Sequence, residues 1–192
     1  LTCDKLDVKG LDIVRSSFPP AMRELMTGVL KDILGNVDKD SIDEDILKFK
    51  KEMKTSDIQD ISLPTGVRKL TKFKTSTPRG AVFTTMRKGT PVHVKAAWIY
   101  NDLLKYWGLN NFEKIKSSEK IKWVYLKPNT MNVKQIGFKG YDDPKEIMDF
   151  IKENIDYDKL FSRALEKKIR MFYEALKWDM PVDKINTLER FF

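Results

Sequence analysis

The sequence predicts an α+β fold that is mainly helical and carries a small antiparallel β hairpin. Three observations predict it. Apolar residues recur at helical spacing through residues 19–53 and again through 144–176. Residues 120–126 (Lys-Ile-Lys-Trp-Val-Tyr-Leu) alternate between apolar and polar, and a second short run around Val133–Phe138 follows Pro128-Asn129. No internal repeat and no low-complexity stretch competes with this reading.

Taken in order, residues 5–14 alternate as a strand does, with Leu6, Val8, Leu11 and Ile13 around Gly10. A helix is expected from near Pro19, a good first-turn residue, to Gly35-Asn36, with Met22, Met26, Val29, Leu30 and Ile33 as its apolar stripe. Ser41 and Glu44 read as a capping box opening a second helix with Ile42, Ile46, Phe49 and Met53. From residue 64 the chain reads as irregular until Thr90-Pro91, an N-cap followed by proline at the first helical position. The helix beyond would carry Val94, Ala97, Trp98, Leu104 and Trp107 and stop at Gly108. After the hairpin, Asp143-Pro144-Lys145-Glu146 combines an N-cap, a proline and a reciprocal acid, and starts a helix with Ile147, Ile151 and Ile155. Phe161, Leu165, Ile169, Phe172 and Leu176 mark one more helix. Trp98, Trp107, Trp123 and Trp178 each sit among apolar positions and read as core.

The 192 residues give room for one domain with a real core, or for a moderate piece of a larger protein. Hydrophobic residues make up 41% and charged residues 33%, with a mean hydropathy of −0.45, which excludes a disordered or membrane-embedded chain. No apolar run reaches the roughly 18 residues of a membrane span. The single cysteine, Cys3, excludes a disulfide framework and a cysteine-based zinc site and favours a reducing compartment. The opening Leu-Thr-Cys-Asp-Lys-Leu-Asp is no secretory signal, and a start at Leu1 rather than Met suggests a cut or trimmed chain.

Charge is the most uneven property. The chain's net +8 divides into −3 over residues 1–63, +13 over 64–140 and −2 over 141–192. The 41 residues between Asp60 and Asp102 hold no acid, yet carry Arg68, Lys69, Lys72, Lys74, Arg79, Arg87, Lys88, Lys95 and the sole histidine, His93. A polyanion is the natural partner of such a stretch; a solvated basic face is the alternative. Its Ser76-Thr77-Pro78-Arg79-Gly80 and Lys88-Gly89-Thr90-Pro91 would expose backbone N–H groups to phosphate oxygens, which favours nucleic acid. Arg87, Lys88 and Gly89 lead into a helix start, where free N–H groups and the dipole already favour an anion, with His93 and Lys95 in the first turns. An ordinary capped helix with His93 packed on a neighbour is the other reading.

Other chemistry is poorly supported. The acids Asp38, Asp40, Asp43, Glu44 and Asp45 fail as an EF-hand, because Asp43 stands at the turn glycine and Phe49 at the bidentate glutamate. They read as a solvated connector. Phosphate loop, dinucleotide, nucleophile-elbow and paired-histidine zinc motifs are absent, and one His with one Cys nearly excludes nucleophilic triads. At the other end, Leu188, Phe191 and Phe192 form a terminal apolar patch that looks like a peptide docking in another protein's pocket, or else a tail folded on its own core.

Three segments together resemble the C-terminal part of family B replicative DNA polymerases, closest to those of large tailed phages. Lys5-Leu6-Asp7-Val8-Lys9-Gly10-Leu11-Asp12 with Arg15-Ser16-Ser17-Phe18-Pro19 looks like the palm-to-thumb crossing, although Asp12 replaces the usual Glu and Phe18 the usual Thr. Gly89 to Tyr100 is similar to the thumb helix Pro-x-His-(Ile or Val)-(Arg or Lys)-(Gly or Ala). Leu188, Phe191 and Phe192 resemble the peptide that attaches these enzymes to a sliding clamp. The resemblance implies that 1–17 are the palm tail and crossing strand, 18–180 the thumb, and 181–192 the clamp-binding peptide. It implies DNA contacts at His93 and Lys95, with Arg87, Lys88, Lys74 and Arg79 as weaker carry-overs.

The family's palm aspartates, nucleotide-binding helix and exonuclease acids have no counterpart here. Asp38/Asp40, Asp43/Asp45 and Asp156/Asp158 have Asp-x-Asp spacing but lie in expected turns or helix starts. The fragment is therefore expected to be part of a DNA-directed nucleotidyltransferase yet inactive alone. It would bind no metal itself, the Mg of the complete polymerase being held by the missing aspartates. The implied partners are duplex primer–template DNA, a sliding clamp and the remaining palm, fingers and exonuclease parts, in the cytoplasm of a phage-infected bacterium. A free-standing, non-enzymatic basic DNA-binding accessory protein is the alternative. A nuclease with His93 as general base ranks last, because no acidic metal site accompanies it.

Overall fold

A computed structural model describes residues 15–182. The palm-like strand read over residues 5–14 lies outside the described residues. The chain folds as two compact units: the described residues up to Ile61 together with those from Leu160 onward, and Ser62–Lys159.

In the first unit, α1 (Pro20–Leu34) starts after Pro19, whose ψ of 139° places it at the cap position with no side chain capping it. Met22, Met26 and Val29 are buried at the expected spacing, and the helix stops at Gly35, followed by Asn36 with φ 55°. The helix α2 (Lys39–Glu52) corrects the predicted cap. Asp38, three residues earlier than Ser41, accepts from the Ser41 N–H at 3.0 Å and from its hydroxyl at 2.8 Å, so Ser41 lies inside the helix. Those charge-assisted bonds pull the Asp38 carboxyl below its ordinary pKa. Ile42, Ile46 and Met53 face inward, and the single turn α3 (Ile58–Ile61) packs against α1. The unit resumes at Leu160, within α6 (Tyr157–Phe161), and a π-helical turn (Ser162–Glu166) and α7 (Lys167–Ala175) follow directly. The Tyr173 hydroxyl donates to Asp43 at 2.7 Å, tying α7 to α2 across 130 residues, and its burial raises the phenol's pKa.

The second unit is built on a three-stranded antiparallel sheet ordered β1 (Leu63–Gly66), β2 (Lys120–Tyr125), β3 (Gln135–Phe138). The predicted hairpin is β2–β3. The stretch read as irregular contains most of the extra edge strand β1 and a 3₁₀ turn at Leu70–Phe73. Trp123 stands opposite both Leu63 and Gly137. The helix α4 (Val92–Tyr106) lies on the face that Gly137 presents. A Cβ at Gly137 would meet Ile121 Cδ1 at 3.1 Å and the Ala96 carbonyl carbon at 3.2 Å, so this glycine admits the helix backbone onto β3. On the other face Val124, Ile136 and Phe138 are fully buried.

Polar side chains lock the surrounding loops. Asn101, buried on α4, donates to the Ile115 carbonyl at 2.9 Å and accepts from its N–H at 2.7 Å. The Lys139 ammonium, buried, reaches Glu113 at 3.2 Å and Glu119 at 3.9 Å. The predicted cap at Asp143 is corrected in the opposite direction to that of α2. Pro144 holds the cap position of α5 (Lys145–Asn154), and the Asp143 carboxylate turns back to accept from the N–H groups of Lys139 and Gly140 at 2.8 and 2.6 Å. Ile147, Phe150 and Ile151 bury the inner side of α5, with Phe150 edge-on to Trp107 at 5.7 Å. Among the described residues no helix is long and apolar enough to cross a membrane.

Candidate nucleic-acid interface

The positive charge belongs to one unit. Ser62–Lys159 carries 19 Lys/Arg against 10 Asp/Glu, whereas the described residues of the other unit carry 13 against 13. Within residues 64–140 only Asp102, Glu113 and Glu119 are acidic, and each bonds to a partner within the chain, Glu113 from an exposed position. Glu113 and Glu119 face the Lys139 ammonium, and the hydrogen bond from that ammonium lowers the Glu113 pKa. Asp102, on α4, accepts from the Thr84 N–H at 2.7 Å and from its hydroxyl at 3.0 Å. Burial raises the Asp102 pKa, while the Thr84 bonds and the charges of Lys74 and Lys105 oppose that shift.

These bonds order residues 73–87 as an irregular hairpin. Thr75 N–H binds the Thr85 carbonyl at 2.9 Å, Arg87 N–H binds the Phe73 carbonyl at 3.0 Å, and Lys74 bridges Met86. At the tip, Ala81 N–H closes on the Pro78 carbonyl across Arg79 and Gly80, whose φ of +84° suits glycine. The base rests on α4. Besides the Thr84–Asp102 anchor, the Lys74 ammonium stands 5.2 Å from the Trp98 ring centroid, and the Trp98 indole donates to the Leu70 carbonyl at 3.0 Å. Lys95, Trp98 and Asp102 share one stripe of α4 at i, i+3 and i+7, so the helix carries both the anchors and a cation beside them.

A tight turn joins the hairpin to α4. Thr90 N–H and hydroxyl both bind the Arg87 carbonyl, at 3.2 and 2.6 Å, with Gly89 at φ +84° between them. The expectation of Thr90 as N-cap is thereby corrected. Thr90 is spent on the turn and is buried, Pro91 takes the cap position, and the helix begins at Val92. The N–H groups of Val94 and Lys95 both reach the Pro91 carbonyl at 3.1 Å, which leaves those of Val92 and His93 without an acceptor among the described residues. His93 is partly buried, and that burial lowers its pKa, which favours the neutral imidazole.

Of the six residues singled out from sequence, Lys74, Arg87, Lys88, His93 and Lys95 gather at the hairpin base, the turn and the helix start. Arg79 stands apart at the tip, no more than about 16 Å along the strand from Lys74. Among the described residues none of Arg68, Lys69, Lys72, Lys74, Arg79, Arg87, Lys88 or Lys95 forms an ion pair. A surface of unpaired cations with spare N–H donors can neutralise several phosphates at once without reading bases. Sequence reasoning missed Asp102 and Thr84, which shape the loop. The signal was there: Asp102 is the first acid after the 41-residue acid-free stretch, and it lies on the stripe of Lys95 and Trp98.

The acid cluster at 38–45 serves the fold through Asp38 and Asp43, and among the described residues no group of three or more His, Cys, Asp or Glu could hold a metal ion. Leu188, Phe191 and Phe192 lie outside the described residues. No family model matches the chain. Over 76 residues it is 33% identical to the human Protein SSX5, a stretch that covers 38% of this chain. The chain thus spans about two fifths (40%) of the length of the relative it matches, an extent that assigns no family.

Proposed function

We propose that this chain is the thumb and C-terminal part of a family B DNA polymerase, gripping primer–template duplex through its phosphate backbone during replication. The observation that best supports DNA binding is the set of eight cations over residues 68–95 that form no ion pair among the described residues, in a segment whose three acids all bond within the chain. Lys74, Arg87, Lys88, His93 and Lys95 take the phosphates nearest the helix start, and Arg79 reaches further along the backbone. The N–H groups of Val92 and His93 add donors on the side where the helix dipole favours an anion. Contacts of this kind hold duplex in place and carry no sequence information. Leu188, Phe191 and Phe192 tether the enzyme to a sliding clamp, which raises its effective concentration on the template. Catalysis and its Mg ions belong to the palm.

If about six phosphates are neutralised, affinity falls on the order of a thousandfold between roughly 50 and 200 mM salt. Fluorescence anisotropy on two duplexes of unrelated sequence tests this directly. Arg87→Ala with Lys95→Ala should weaken both complexes equally and flatten the log–log salt slope by about 2. An unchanged slope would remove the assigned surface. Deleting Leu188 to Phe192 should abolish clamp pull-down and leave duplex affinity intact. A reading frame encoding Tyr-x-Asp-Thr-Asp upstream of Leu1 is the expected genomic context; duplex binding without such a frame leaves the free-standing accessory protein.

A further inference from the structure

The first unit holds a groove of about 520 Å³ between α1 and α2. Its apolar lining includes Leu25, Val29 and Phe49. Four carboxylates border it: Glu24 and Asp32 on α1, Asp45 and Glu52 on α2. Residues 24 and 32 are about 12 Å apart along the helix, and 45 and 52 about 10 Å. Because a four-residue link turns the chain back, Glu24 and Glu52 mark one end of the groove and Asp32 and Asp45 the other. Lys48 is the sole cation in the lining, and it lies 3.9 Å from Glu52. Glu24, Asp32 and Asp45 form no ion pair among the described residues.

Gly28 supplies an independent sign that the space is kept open. It sits in the middle of α1, where glycine costs about 0.5–1 kcal/mol relative to alanine. Its φ is negative, and a Cβ there would meet nothing within 4 Å. Neither backbone conformation nor packing requires glycine here. The missing side chain leaves free volume in the groove.

We infer that this groove docks a cationic amphipathic segment of a partner protein, one or two large apolar side chains entering over Gly28 and flanking Lys or Arg meeting the carboxylates at the two ends. The site is distinct from the cationic hairpin and does not rest on the DNA-binding reading.

The test uses the full chain and a labelled peptide of about four helical turns, leucine on one face and lysine on the other. Binding should be in the micromolar range, should weaken with salt, and should shift amide resonances of α1 and α2. Gly28→Met, which fills the groove while improving helix propensity, should raise the dissociation constant at least tenfold without lowering the melting temperature. Asp32→Lys with Asp45→Lys should do the same at the other contact. No binding, equal binding of a peptide with glutamate in place of lysine, resonance shifts elsewhere, or full affinity of a folded Gly28→Met variant would each overturn the proposal. Concentration-dependent dimerisation abolished by Gly28→Met would overturn it in favour of a second copy of this chain.

Discussion

Gly137→Ala tests whether the approach of α4 to β3 is as tight as the geometry requires. The added methyl would lie 3.1 Å from Ile121 Cδ1, 3.2 Å from the Ala96 carbonyl carbon and 3.3 Å from its oxygen, all inside ordinary van der Waals contact. Two of the three neighbours are backbone of a buried helix and cannot rotate away. Overpacking of this kind costs about 1–3 kcal/mol, while replacing a strand glycine by alanine returns about 0.5–1 kcal/mol. The net is a destabilisation between about 0 and 2.5 kcal/mol, centred near 1 kcal/mol, where the melting temperature falls by roughly 2–4 °C for a chain of this size. Thermal unfolding followed by circular dichroism reads it. Ile121→Val removes the Cδ1 contact alone, so the double variant should recover only part of the loss. Duplex affinity should stay at the wild-type value, since the cationic hairpin is fastened to α4 itself and moves with it. A Gly137→Ala protein that melts above wild type would refute the tight approach. Full rescue by Ile121→Val would assign the strain to that side chain instead of the helix backbone.

Asp102 separates loop order from charge. Asp102→Asn keeps an acceptor for the Thr84 N–H while removing a negative charge beside Lys74, so duplex affinity should rise; Asp102→Ala frees the loop and should lower affinity despite the same charge gain, as anisotropy will show. His93, the single histidine, gives one imidazole resonance to titrate by NMR, expected to move at a pH below 6.5 in the free protein and at a higher pH when duplex is bound. Because the folded state holds His93 neutral, its contribution to stability is present above the unfolded value of about 6.5 and is lost as pH falls through the lower folded value. His93→Gln should abolish that loss in urea melts between pH 5 and 7. Removing both acids around the buried Lys139, by Glu113→Gln with Glu119→Gln, should lower the urea midpoint more than Lys139→Met, because only the former leaves a buried cation unpaired.

What the sequence made legible follows from how local each signal is. The stripes Met22/Met26/Val29 and Val94/Ala97/Leu104 need only the helical period, and α1, α2, α4 and α5 were read within a few residues of their bounds. The starts of α4 and α5 were misread in the same way. Wherever an X-Pro pair opened a helix, at Pro19, Pro91 and Pro144, proline itself took the cap position with ψ near 140°. Proline disfavours helical backbone in the residue before it, which left Thr90 and Asp143 free to bind backward into the preceding loop. The strand β1 escaped notice because Leu-Pro-Thr-Gly is a poor strand by composition; as an edge strand it tolerates proline. At the candidate site the cations were plain in the sequence, but their scaffold was not. The hairpin has no periodicity, and its order depends on Asp102, 18 residues from Thr84.

The division of the chain also bears on how it is made. The first unit is discontinuous: α1 to α3 precede the 98 residues of Ser62–Lys159, and the helical segment from Leu160 that completes it follows them. On a ribosome the second unit is therefore finished while the apolar stripes of α1 and α2 still wait for their last cover, the Tyr173–Asp43 bond among it. A stalled or truncated translation product would carry the cationic surface on a completed unit beside a half-built one, and that exposed apolar surface is where a chaperone or a protease would act.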